Sequence, residues 1–291
     1  MNNGAVPRAT GLLVIEVRNS NPNGDPDQES DPRRRAHDQR GMISPVSFKR
    51  KLRDLVENKD GGVWKELSSN LGLSTNEFDV LESRRHERKE VETLLSKDFE
   101  GFKRRFWDGR VFGNTFLEEE LGETTRTGVA QFGLGISVAP IRVERQTNTK
   151  LAPAQGARSG GRAPTRGMAP LGYRVVEHGV YCMPFMVNPT AATRTGCTKK
   201  DIDLLLRLIP YAYPHTASHI RPFVEVRHAW YAQHKSPLGS CSDFAILDAL
   251  TPQKRDDPKE PSTSWAEYDV PTGPGTLRER LADFQDLMQP A

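Results

Sequence analysis

The chain has 291 residues, a formal net charge of +3 and charged and apolar fractions of 27% and 36%, which is enough for one large domain or two small ones with a real core. No apolar run approaches the length that spans a bilayer, and Met1 to Ala5 carry neither a basic n-region nor an apolar h-region, so the composition argues against a membrane or secreted protein and for the cytosol or nucleus. Cys182, Cys197 and Cys241 are far apart with no paired spacing and read as free thiols in a reducing compartment.

The first element is an apolar run, Leu12 to Val17, whose two apolar faces suit a central strand covered on at least one side. It stops at Asn19-Ser20-Asn21-Pro22-Asn23-Gly24-Asp25-Pro26-Asp27, which is dense turn chemistry: Gly24 can take positive φ, and Asn and Asp side chains bond their own backbone. After the basic loop Arg33-Arg34-Arg35, Ser44-Pro45 starts a helix, Ser as N-cap and Pro at the first helical position. Phe48, Leu52, Leu55 and Val56 share one face, leaving Lys49, Arg50 and Arg53 on another. Residues 59–127 read as a mainly helical insertion: Gly61-Gly62 breaks the chain, and Val91, Leu94, Leu95, Phe99, Phe102 and Phe106 recur at spacings of three and four. Asp108-Gly109 ends it, and Arg110-Val111-Phe112-Gly113 reads as a turn.

From Gly128 the period changes to two. Ala130, Phe132, Leu134, Ile136 and Val138 form one face of a half-buried strand. A second β-rich segment, 173–187, has a bend at His178-Gly179. Between them, 144–173 is a long excursion from a hairpin, rich in small residues and Arg. Thr198 to Asp201 resembles a capping box opening a helix with Ile202, Leu205, Leu206 and Ile209 as its stripe, closed by Pro210. A strand over 223–231 and a short helix over 244–250 follow. The C-terminal extension, 251–291, is a Pro- and charge-rich loop and then an amphipathic helix bearing Leu277, Leu281, Phe284 and Met288. Without the insertions the order is β, α, β, β, α, β. That is an α+β class chain with a ferredoxin-like, RRM-like βαββαβ core, one palm domain over 1–291.

Charge is concentrated in two segments. Between Arg33 and Arg53 eight basic residues face one acid, Asp38; from Arg142 to Arg174, Arg145, Lys150, Arg158, Arg162 and Arg166 add to the two ends against Glu144 alone. Such polarity points to a phosphate-bearing ligand touching both segments, although a solvated helix face and a disordered surface loop are the bland alternatives. Leu151, Met168 and Leu171 can supply apolar wedges between nucleotides. Asp25, Asp27, Glu29 and Asp31 alternate as in a calcium loop, but the sixth and twelfth positions hold Ser30 and Ala36 where Gly and Glu are needed. They read as turn-formers, with a divalent-metal nuclease site as the alternative. His215 and His219 have zinc-hydrolase spacing, but no Glu follows His215 and the prolines around them indicate a loop. No Gly-x-Ser-x-Gly, Walker or dinucleotide-binding turn is present. The sequence therefore assigns no catalytic residue, no metal and no cofactor.

The strand leading into Asn21-Pro22-Asn23-Gly24-Asp25-Pro26-Asp27, then Phe48-Lys49-Arg50-Lys51-Leu52-Arg53, Arg110-Val111-Phe112-Gly113, Phe132 to Ser137, Pro170 to Tyr173 and Thr195 to Asp201 together resemble the CRISPR-associated Cas-seven family. The likeness spans nearly the whole chain and is nearest the Csd-two branch of type I-C or its type I-B relative. It implies a non-enzymatic backbone subunit of a cytoplasmic, prokaryotic Cascade surveillance complex. Copies would stack head to tail along crRNA and present its bases to target DNA, with base pairing reading the sequence. Asn21, Asn23, Gly24, Lys49, Arg50 and Arg53 would touch the RNA backbone, and 144–173 would be a thumb that kinks the guide. Further partners implied are a large subunit, a Cas-five-like cap, small subunits and a recruited helicase-nuclease. The Arg33-Arg34-Arg35 run departs from the mixed loop expected there. Type III relatives cut target RNA with a loop Asp and a divalent metal, and Asp25, Asp27 or Asp31 could mimic that.

Overall fold

The computed structural model describes residues 4–83, 86–114, 126–151 and 168–289. Its centre is β1 (Ala9–Ser20), where Leu12, Leu13, Val14, Ile15 and Val17 are at most 2% exposed. Both faces are covered, as a strand apolar on both sides requires. Chain order then gives β2 (Arg40–Ile43), α1 (Pro45–Glu57), α2 (Gly62–Leu71), α3 (Arg88–Lys97), α4 (Phe99–Arg105), α5 (Trp107–Phe112), β3 (Ala130–Phe132), β4 (Gly135–Pro140), β5 (Val143–Leu151), β6 (Met168–Val187), α6 (Lys199–Leu208), β7 (Val224–His234), α7 (Asp243–Leu250) and β8 (Leu281–Asp286). The eight strands form one sheet in the order β8-β7-β1-β6-β4-β2, with β3 and β5 also paired to β6. Every pairing is antiparallel. Because β1 and β4 are both antiparallel to β6, they run parallel with β6 between them; β6 and β7 flank β1 in the same way.

On one face α1, through Phe48, Leu52 and Val56, and α6, through Ile202, Leu205 and Leu208, pack on Leu13, Ile15, Tyr181, Met183 and Phe185. On the other, Leu12, Val14, Val180 and Trp230 meet Ile246 and Leu250 of α7 together with Tyr268 and Leu281. Gly11 allows Phe185 to lie against β1, since a Cβ there would sit 2.2 Å from its ring. Gly11→Ala is expected to destabilise the fold by about 2 kcal/mol through overpacking, read as a lower urea midpoint at unchanged slope.

Four expectations are corrected. Residues Trp107–Phe112 are helix, not turn, and bury Trp107, Asp108 and Arg110. Six residues containing Gly109 are too few to show a helical period. The strand after Gly128 changes phase: Ala130 and Phe132 face inward, but beyond the break Gly135, Ser137 and Ala139 do, and Leu134 is 39% exposed. The register to β6 moves by one residue between Phe185↔Phe132 and Cys182↔Ile136, a bulge that exchanges the faces. Pro184 stands opposite that break and has no N–H to give. At His178-Gly179 β6 does not bend. His178 is buried, with Nδ1 2.8 Å from Ser262 Oγ and Nε2 3.3 Å from Glu16 Oε1. Burial opposes ionisation of Glu16, but hydrogen bonds from His178 and Arg18 and the charges of Arg18 and Arg227 outweigh it and hold its pKa at about 2. Finally, the terminal amphipathic helix is a 3-10 turn, Gly275–Arg280, followed by β8, which takes the free edge of β7. Edge pairing overrides a four-three spacing that a helix would also produce.

Candidate nucleic-acid interface

The turn after β1 is built from its amides. Asn21 is 2% exposed, its Nδ2 donates to Ser30 O at 2.8 Å and its backbone N–H to Ile220 O at 2.7 Å. Asn23 Oδ1 accepts from the Ser44 N–H at 2.7 Å, tying the turn to the N-cap of α1, where Ser44 Oγ accepts from Ser47 N–H. Gly24 is not in the left-handed region expected for it; a Cβ there would meet Ser30 O at 2.8 Å, so close approach is what requires glycine. Positive φ falls instead on Asn19, Glu29 and Ser30, at 41°, 48° and 65°. The acids serve the turn: Asp25 accepts from the Asp27 N–H, and Asp31 pairs with Arg174 at the base of the hairpin. Among the described residues no group of three or more His, Cys, Asp or Glu is placed to hold a metal ion. The rings of His215 and His219 face different tyrosines, Tyr211 and Tyr173.

The basic residues divide. Arg53 does not lie on a solvated face: it is 3% exposed, and its Nε lies 2.8 Å from Asp108, itself 1% exposed, with Glu82 2.9 Å from its other end. It sits two positions from Lys51 and one from Leu52, where α1 turns under α5. Arg50 is bound to Asp54 and Glu57 at 2.7 and 2.6 Å. Lys49 is half-buried with its ammonium 5.1 Å over the Phe112 ring; burial, then the charge of Arg53, lowers its pKa. The helix face read as a phosphate grip is thus largely neutralised from within. In the loop, Arg33 Nε donates to Gly24 O at 3.2 Å, Arg35 pairs with Asp38, and Arg34 is exposed without an ion-pair partner among the described residues.

The excursion is a hairpin at its base, β5 paired to β6 from Val143↔Val176 to Leu151↔Met168. Arg145 is exposed and opposite Arg174 in register; Lys150 stands across from Ala169 and Leu171 across from Asn148. Arg158, Arg162 and Arg166 lie outside the described residues. The Asp31–Arg174 pair and the edge contact of Tyr173 with His219, 5.3 Å between ring centroids, bring turn, hairpin base and the 214–221 segment to one surface. Sequence reasoning gave that segment no role beyond the rejected His215–His219 pair, and Lys51 none beyond the basic run. The available signal was that Lys51 stands three residues after Phe48 and four before Leu55, on the flank of the apolar stripe.

Residues 7–273 match the family model for CRISPR-associated protein Cas7. The chain belongs to the Cas7 family. No curated protein matches it. Among solved structures, this Cas7 family chain is similar at 15% identity to a chain of a pre-nicking CRISPR RNA-guided surveillance complex, with 77% of this chain and 78% of that one covered and a TM-score of 0.47. A chain of another CRISPR RNA-guided surveillance complex is 15% identical, with 77% and 68% covered and a TM-score of 0.43. A chain of the type III-B Cmr-beta complex bound to cognate target RNA is 10% identical, with 77% and 60% covered and a TM-score of 0.38. The Cas7 chain is an α+β fold with a large antiparallel sheet and helices on both faces.

Proposed function

We propose that this Cas7 family member is a backbone subunit of a type I Cascade surveillance complex, of the I-C kind or a near relative. Copies stack head to tail along crRNA, hold it by its phosphates and leave its bases to pair with target DNA. The family match over residues 7–273 carries this reading. The geometry supports it: the Asp31–Arg174 pair joins the turn to the hairpin base, and Arg34 and Arg145, both exposed, belong to the two basic segments so joined. The palm is a ferredoxin-like unit, since β1-α1-β4 and β6-α6-β7 are two interleaved split βαβ crossovers. Residues 59–127 are its helical insertion, 144–173 its thumb and 251–291 its extension. The subunit is a scaffold and not an enzyme, working in the prokaryotic cytoplasm with a large subunit, a Cas-five-like cap, small subunits and a recruited helicase-nuclease. Of the turn acids that the RNA-cleaving alternative would use, Asp25 caps the Asp27 N–H and Asp31 pairs with Arg174, which leaves the exposed Asp27.

The test is expression with a CRISPR repeat-spacer transcript. The expected product is a ribonucleoprotein filament whose RNA survives nuclease at a regular interval. A chain deleted over 147–167 is expected to purify as a folded monomer that forms no regular filament. Free monomer and unprotected transcript from the wild-type chain sink the proposal, and evenly spaced cuts in complementary RNA with Mg²⁺, lost on Asp31→Ala, favour the type III alternative.

A further inference from the structure

The 210–222 segment folds along a flank of α1 that the sequence left without a role. Lys51, 4% exposed, sends its Nζ to Thr216 Oγ1 at 3.1 Å and lies 5.0 Å over the Tyr213 ring. Arg221, half-buried, lies near enough for its charge to work against the Lys51 ammonium, and neither cation has a carboxylate at ion-pair distance among the described residues. Asp54, one turn on, is the nearest acid felt by Lys51, and it is bound to Arg50. Three buried polar atoms here lack partners: Arg221 Nε, the Tyr213 hydroxyl and Asn21 Oδ1. The orientation of the Asn21 amide is fixed by its bond to Ser30 O, so the unpartnered atom is the acceptor.

Two neighbouring cations without an acid, beside two unsatisfied donors, Arg221 Nε and the Tyr213 hydroxyl, form an arrangement that repels itself until an anion arrives. Several other charges of the interface are already neutralised: Arg50, Arg53, Arg35 and Arg174 each hold a carboxylate. Like Lys49 and the exposed Arg34 and Arg145, Lys51 and Arg221 hold none among the described residues, but they stand beside unpartnered buried donors. They adjoin the turn through the Asn21–Ile220 backbone bond and the hairpin base through His219 and Tyr173, which places them on the path joining the two basic segments. We infer that Lys51 and Arg221 form the seat of one phosphodiester of single-stranded RNA, floored by the Tyr213 ring, so that the opposite flank of α1 from Arg50 grips the strand. The inference rests on the proposed function and assigns it residues that the sequence did not.

The experiment titrates the full-length chain with a labelled 30-nucleotide uridine RNA at several salt concentrations. Lys51→Gln and Arg221→Gln are each expected to weaken binding about tenfold and to lower the log–log salt slope by about 0.7, one phosphate contact. Lys51→Arg is expected to retain most of the affinity. Arg194→Gln, exposed beside the start of β1, is expected to change nothing. Inorganic phosphate at constant ionic strength separates a free anion from the polymer: competition by phosphate with RNA affinity unmoved in the variants overturns RNA as the occupant. Folded Lys51→Gln and Arg221→Gln proteins with wild-type affinity and slope overturn the assignment while leaving RNA binding intact. Absence of RNA binding by the wild-type chain overturns both it and the functional reading.

Discussion

Arg110→Ala is expected to lower the free energy of unfolding by about 4 kcal/mol, more than any exposed arginine in the chain, because it strands a buried carboxylate. Arg110 is 6% exposed and donates through Nε and Nη2 to Asp201 Oδ1 at 3.1 and 2.7 Å. Its remaining protons reach the carbonyls of Lys103 at 2.8 Å and Glu77 at 2.8 Å. Asp201 cannot turn to water, since its Oδ2 accepts from the Thr198 N–H at 2.7 Å in the capping box of α6. One guanidinium thus fastens α5 and the carbonyls of Glu77 and Lys103 to the N-terminus of α6. Arg110→Lys, a single point charge that cannot span these acceptors, is expected to recover less than half of the loss. Urea unfolding at pH 7 measures both. A cost for Arg110→Ala below about 1 kcal/mol, the range of surface pairs, would show the pair to be dispensable.

Lys51→Met is expected to move stability and RNA affinity in opposite directions. Burial, then the charge of Arg221, lowers the Lys51 pKa from 10.5 to about 8. Below pH 8 both folded and unfolded chains carry the proton, and the folded chain bears a cost of roughly 3 kcal/mol for keeping it. Between pH 8 and 10.5 the folded chain has released it while the unfolded chain still binds it, so wild-type stability rises relative to the Met variant. The variant is therefore expected to be more stable by roughly 2 kcal/mol at pH 7, after loss of the Thr216 hydrogen bond, with the advantage gone by pH 10.5. RNA affinity of the wild type is expected to fall as pH rises past 8, while that of the variant stays low and flat. Chemical denaturation and RNA titration across pH 6.5–10 supply the measurements. A Met variant less stable than wild type at pH 7 contradicts the burial argument.

These positions show how much the sequence disclosed. The order of strands and helices in the core was legible, because the runs around Ile15, Phe48, Leu205 and Trp230 are long and periodic. Where a single residue decided the outcome, legibility ended. Pro184, forty-eight positions from Ile136, sets the phase of β4, and the free edge of β7 turns Leu281 to Asp286 into strand. The site divided similarly. The amides of Asn21 and Asn23 announced a turn, but Arg53 and Arg50 looked available because Asp108 lies far along the chain and Glu57 one turn beyond the stretch considered. Lys51 counted in the basic run but had no role of its own, since only the return of the chain at Tyr213 to Arg221 gives it a neighbour.

The cover on the second face of the sheet bears on what that face can bind. RNA-recognition modules often read RNA by stacking bases on aromatic side chains of an open sheet. Here the corresponding aromatics are spent: Trp230 is 2% exposed, and His228 stacks against Trp230 and Trp265, with ring centroids 4.8 and 6.1 Å away. On this face Trp230 is thus withheld from any outside ring, and the ring of His228 is already stacked within the chain.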